Sequence, residues 1–173
     1  MPETRIRPAG PEDVGALAEI GAATFVETFG HLYKPEDLEA FLVEDHSEAA
    51  CARLLADPAY ATWLVETPAG QVVGYAVAGP CKLPVEDMGP VAGELKRLYI
   101  LKDHQGGGVG SRLLAQTLEW MEERGHHPLY ISVWSENDGA QRLYGRHGFR
   151  KIKEYAFMVG AQADREFILE RRD

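Results

Sequence analysis

The stretch that decides the fold runs Glu94-Leu-Lys-Arg-Leu-Tyr-Ile-Leu101-Lys-Asp-His-Gln105-Gly-Gly-Gly-Val-Gly-Ser111. Leu95 to Leu101 is rich in branched and aromatic residues and too short for a helix, which predicts a strand buried on both faces. Gly106, Gly107 and Gly108 then break it, and Gly110 follows. Without β-carbons these residues can take positive φ and turn their amides toward one bound anion. From Ser111 to Arg124, Leu113, Leu114, Thr117, Leu118 and Met121 recur at helical spacing. The loop therefore feeds a helix whose N-terminal dipole also favours anions. A plain turn at a helix start has the same composition, so the loop alone leaves both readings open. Spacing narrows the choice of phosphate loop. No Gly-x-Gly-x-x-Gly register fits, since Ser111 and Leu113 stand where the third glycine would fall, and a Gly-Lys-Ser/Thr ending is missing.

Outward from this stretch, 173 residues with 45% apolar and 26% charged content suit a single domain, 1–173, with one core. No apolar run approaches a membrane span, and the start Met-Pro-Glu-Thr-Arg-Ile-Arg-Pro lacks a secretory core, so the expected location is the cytoplasm. A net charge of −9 and the lack of a Lys/Arg cluster argue against a nucleic-acid partner and lean toward a cationic small substrate. Cys51 and Cys81 stand far apart in no metal spacing, and His126 and His127 are adjacent, so no disulfide framework, thiol nucleophile or metal site is expected.

Residues 11–29 read as a first helix, with Val14, Leu17, Ile20 and Phe25 in a stripe, and Pro35 opens a second carrying Leu38, Phe41 and Leu42. The acidic Glu36, Asp37, Glu39, Glu44 and Asp45 suit a solvated face, or a mouth that attracts amines. Residues 47–56 predict a short helix, residues 61–66 and 71–79 a hairpin, and Pro80 to Gly93 a surface excursion. Leu129 to Trp134 is a second continuous strand, so strand, helix and strand predict a parallel crossover. A short helix over 137–147, a strand over 149–159 and a last strand over 165–170 complete a mixed α/β sheet with helices on both faces.

Two motifs now agree in order and spacing. Gln105-x-x-Gly108-x-Gly110 resembles the pyrophosphate loop of the GNAT superfamily of N-acetyltransferases, and Asn137, Ala140, Tyr144 and Gly148-Phe149 resemble its later pattern. Thr24-Phe25, Thr28-Phe29, Pro35-Glu36, Phe157 and Gly160 further resemble bacterial spermidine/spermine N-acetyltransferases of the PaiA type. The resemblance implies a mostly antiparallel sheet of six to seven strands with a parallel pair at the cofactor cleft, acetyl-coenzyme A as co-substrate and no metal. It implies direct transfer to a small primary amine, a polyamine first, with another amine or a non-catalytic acyl-coenzyme A sensor as rivals. A homodimer is compatible with it. By resemblance, Tyr144 is the general acid and Glu94 the base, acting through water. Leu98, Tyr99, Ile100, Gln105, Gly106, Gly107, Gly108, Val109, Gly110, Ser111, Asn137 and Tyr144 would hold the coenzyme, and Phe25, Thr28, Phe29 and Tyr33 the acceptor. One departure stands out: relatives often carry a basic residue where this loop has Gly106 and Gly107, a charge that Lys102 or Arg112 could replace.

Overall fold

A computed structural model describes residues 3–172. Seven strands form one sheet in the order β1-β2-β3-β4-β5-β7-β6, with β1 Arg5–Pro8, β2 Ala61–Glu66, β3 Val72–Pro80, β4 Gly93–Ile100, β5 Leu129–Trp134, β6 Arg150–Val159 and β7 Gln162–Arg171. Every neighbouring pair is antiparallel except β4 with β5. The helices are α1 Val14–Phe29, α2 Pro35–His46, α3 Glu48–Ala56, α4 Val109–Glu123 and α5 Asp138–Arg146. None of the described helices is long and apolar enough to cross a membrane.

The helices divide between the two faces because each buries one stripe. On α1, Leu17, Ile20, Gly21, Thr24 and Phe25 recur at intervals of three and four; Leu17 and Ile20 meet Leu64, Tyr75 and Val77 together with Cys51 of α3, while Phe25 packs with Phe29 and Tyr33. On the other face α4 packs Val109, Leu113, Leu114, Leu118 and Met121 against Val65, Val73, Leu95 and Ile131. Helix starts follow local chemistry. Ser47 Oγ accepts from Ala50 N at 3.1 Å, Asn137 Oδ1 accepts from Ala140 N at 3.1 Å, and Pro35 occupies the first turn of α2.

Three expectations need correction. The central strand is not buried throughout: it begins at Gly93, stops at Ile100, and is only half-buried from Lys96 to Tyr99. Its C-terminal half borders an opening in the sheet. Helix α4 begins two residues earlier than Ser111, since Gly108 at φ 81° already turns the chain into it. The segment between β3 and β4 is no mere surface excursion, because Cys81 and Ala92 are buried and Lys82, Leu83 and Pro84 wall a cleft.

Candidate active site

Strands β4 and β5 pair only over Gly93–Leu95 and Leu129–Ile131. Beyond that they diverge, for a reason visible in the other neighbour of β4. Val77 pairs with Arg97 and Ala78 with Leu95, so Lys96 is an extra residue, a β-bulge that bends the strand. Leu101 N donates to Val73 O at 2.9 Å, and the alternation of an antiparallel ladder then turns the amides of Leu98 and Ile100 away from β3 into the gap. Gln105 Nε2 donates to Ile100 O at 2.8 Å, tying the start of the glycine loop to the same edge.

Below the gap, Gly106, Gly107 and Gly108 have φ of 95°, 64° and 81°, and a β-carbon on any of them would meet nothing within 4 Å. The glycines are thus required by backbone conformation, and their outer side is open. No side chain caps the first turn of α4 and no acidic residue lies in it, which leaves the amides of Val109, Gly110 and Ser111 as donors. A diphosphate fits this loop by its donors and its space. The Arg112 guanidinium donates to Thr4 O and Thr4 Oγ1. Lys102 has an exposed side chain, while its amide donates to Glu27 Oε1 at 2.8 Å.

At the mouth of the gap, Asn137 caps α5 and Tyr144 is buried, both lining the slot with Leu98, Tyr99 and Trp134. Burial pushes the Tyr144 phenol well above its ordinary pKa, so it keeps its proton. The slot opens on the α1–α2 face into a cleft of about 360 Å³. Phe25, Phe29 and Tyr33 line this cleft, with Phe41 stacked on Phe25 at 4.5 Å between centroids. Thr28 does not line it, because a helix turns about 100° per residue and Thr28 lies one step from Phe29.

Glu94 is 5% exposed and faces the cleft, its Oε1 accepting from Lys82 N at 2.9 Å. Burial raises its pKa, and the nearby Lys96, Arg97 and Lys82 oppose that rise. Sequence reasoning missed the remaining polar wall. The bulge directs both Lys96 and Arg97 at the cleft, and Arg97 meets Asp45 of α2 at 3.6 Å. Of the acidic residues on α2, Asp45 lines the cleft, whereas Glu36, Glu39 and Glu44 are exposed. Ser132, Tyr155, Asp164 and Glu166 form the far side, where the Tyr33 hydroxyl donates to Asp164. His46 is buried beside Phe25 and is pulled down to about 4 by burial, then by Arg97. His126 and His127 face separate carbonyls, those of Val91 and Arg172, and no group of three or more possible metal ligands occurs among the described residues.

A diverging parallel strand pair over a glycine loop narrows the fold, and comparison with known proteins decides the family. The model of the acetyltransferase (GNAT) family matches residues 23–149. The chain belongs to this family. An uncharacterized N-acetyltransferase of Lactobacillus delbrueckii subsp. lactis is 27% identical over 99% of this chain and 98% of its own length. One of Mycobacterium tuberculosis is 30% identical over 92% of this chain and 97% of its own. In fold the chain is similar to the crystal structure of the PaiA N-acetyltransferase of Thermoplasma acidophilum in complex with coenzyme A. That match has a TM-score of 0.77, covers 99% of each chain and has 18% identity. As a GNAT protein the chain is an N-acetyltransferase.

Proposed function

We propose that the protein transfers an acetyl group from acetyl-coenzyme A to the primary amine of a small molecule in the cytoplasm, by direct transfer within a ternary complex. The observation that carries this reading is the gap between β4 and β5, with the open glycine loop at one end and buried Tyr144 in its wall. When bound, acetyl-coenzyme A supplies an activated carbonyl and a thiolate leaving group. The amides of residues 106–111 hold the diphosphate, and those of Leu98 and Ile100 aim at the carbonyl oxygen from a preformed edge. Asn137 holds the first turn of α5, and with it Tyr144, against the slot. Tyr144 keeps a proton at its hydroxyl and delivers it to the departing sulfur. An amine with an ordinary pKa of ~10.4 is less than about 0.1% neutral at pH 7, so a carboxylate in the cleft must accept a proton first. Glu94 is the residue that family resemblance proposes for this, through water.

For the acceptor, a polyamine such as spermidine or spermine is favoured by the aromatic walls and by the carboxylates Asp45, Glu94, Asp164 and Glu166. A second reading has its own observation: Lys82, Lys96 and Arg97 line the same cleft and suit an amine that also carries an anionic group, such as an amino acid. A mass-detected panel of spermidine, spermine, lysine and aminoglycosides with acetyl-coenzyme A tests both. Turnover of spermidine supports the first, turnover of lysine alone the second, and inactivity on every amine overturns the transferase reading. In Tyr144→Phe, kcat should fall by ~100-fold or more while coenzyme binding persists. Unchanged turnover would remove the general-acid role.

A further inference from the structure

Among the described residues, one buried side-chain nitrogen or oxygen lacks a hydrogen-bond partner: Oε2 of Glu166. A buried carboxylate oxygen with no protein partner leaves its hydrogen-bonding capacity to whatever occupies the space it faces. Glu166 lies in the middle of β7, paired across to Trp134 on β5 and Tyr155 on β6, and faces the acceptor cleft. Its Oε1 reaches only Ser132 Oγ, at 3.5 Å. Ser132 lines both the cleft and the slot where the acetyl group would lie, so Glu166 stands beside the point where the two spaces join.

The other carboxylates of the cleft are all engaged. Asp45 faces Arg97, Asp164 accepts from Tyr33, and Glu94 accepts from the Lys82 amide with three cations nearby. Arg165, next to Glu166 in sequence, is committed to Glu154 on the opposite side of the strand. Among the described residues, Glu166 is the cleft carboxylate that keeps a buried oxygen with no protein partner.

We propose that Glu166 receives the ammonium of the acceptor and takes its first proton, so that Glu94 is not the base but a residue that positions the loop at Lys82. The inference rests on the transferase reading above. In the step, an N–H bond of the ammonium breaks and an O–H bond forms on Glu166. The freed lone pair forms the N–C bond as the C–S bond breaks, and Tyr144 protonates the sulfur. The second amine proton restores Tyr144, and Glu166 returns its own to water.

The surroundings suit this task. Burial and then the charge of Asp164 push Glu166 up to about 7, against a lowering by Ser132. Tyr33 from the segment after α1, Tyr155 from β6 and Tyr99 from β4 face the same region with raised pKa values and so stay neutral. Across the cleft the charged groups are Lys96 and Arg97 on β4, Lys82 on the preceding loop, and Asp45 beside neutral His46 on α2. A base poised near neutrality can accept a proton from an amine and still release it.

The test is kcat/KM against pH for the wild type, Glu166→Gln, Glu166→Asp and Glu94→Gln, using the best amine of the panel. Glu166→Gln should lose ~100-fold or more and its acid limb near pH 7, with coenzyme affinity unchanged. Glu166→Asp should keep a limb, and so should Glu94→Gln. An acid limb that survives Glu166→Gln at the same pH, or disappears with Glu94→Gln alone, overturns the inference while leaving the transferase intact. A readout free of turnover is the carboxyl signal of ¹³C-glutamate-labelled protein. A resonance titrating near neutrality, lost in Glu166→Gln and displaced by spermidine or lysine, supports the assignment. Failure of Glu166→Gln to remove any such resonance refutes it, even if the wild type acetylates nothing.

Discussion

The two sides of the transfer gap are built from different materials. On the α4 side, residues 105 to 111 form one contiguous stretch, a loop and the first turn of α4, whose available donors are backbone amides and whose side chains are mostly hydrogen. On the α1–α2 side, the cleft is assembled from side chains as far apart as Phe25 and Glu166, contributed by α1, α2, five strands of the sheet and the loop before β4. A diphosphate is the same in every turnover, so on the proposed reading a fixed cage of amides would serve it. An acceptor differs from one enzyme to the next, and side chains can change without disturbing the cage.

If the two sides are independent, changes on one should spare the other. The largest effect is expected for Phe25→Ala, which removes a ring packed against Phe29, Tyr33, Phe41 and His46. Denaturant unfolding should show a loss of ~3–5 kcal/mol, with coenzyme affinity changed by less than twofold in the fraction still folded. An equal loss of coenzyme affinity would break the comparison.

Acid should also act on the acceptor side first. His46 is held down to about 4 in the fold against an ordinary value near 6.5. Its contribution to stability is therefore complete above about 6.5 and lost as the unfolded chain takes up a proton that the folded one refuses, down to about 4. At ~1.4 kcal/mol per unit this amounts to at most about 3.5 kcal/mol, and amide exchange in α2 should accelerate before exchange in α4. Replacing His46 by Gln should flatten this dependence. A smaller effect, confined to the other side, is expected for Gly108→Ala. A β-carbon at φ 81° costs ~1–2 kcal/mol, and calorimetry should show coenzyme binding at least about tenfold weaker with the acceptor KM unmoved. The smallest is Thr28→Ala, which should change the acceptor KM by less than about twofold and stability by under ~0.5 kcal/mol, since Thr28 is outside the cleft. A large KM change there would mean that the cleft extends around α1.

The difference between the sides also explains what could be read in advance. The glycine loop, the period of α4 and the strand before it are local patterns, and the sequence carries them nearly intact. Even so, the helix start was displaced by two residues, because three successive left-handed glycines do not announce which of them ends the loop. The cleft was largely hidden. On β7, Asp164, Glu166 and Glu170 alternate with Phe167 and Leu169, which is the pattern of a half-buried strand with its polar face in water. Here Asp164 and Glu166 look into the cleft that α1 and α2 also line, and nothing within the strand records it. Phe25, Phe29 and Tyr33 are recognisable as a group through family resemblance, yet the same motif takes in their neighbour Thr28, because a linear motif does not distinguish faces of a helix. Lys96 and Arg97 read as ordinary charges within a strand, since a bulge is a property of pairing.

That one surplus residue has a consequence for how such a protein can be lost. Cut Lys96 out of β4 and the ladder with β3 would run without interruption, the strand would straighten toward β5, and the seam now open to a thioester could zip closed. No single side-chain replacement does this, because the wedge is a matter of chain length. The gap is thus exposed to the deletion of a single codon, a change that could leave the molecule better hydrogen-bonded than before.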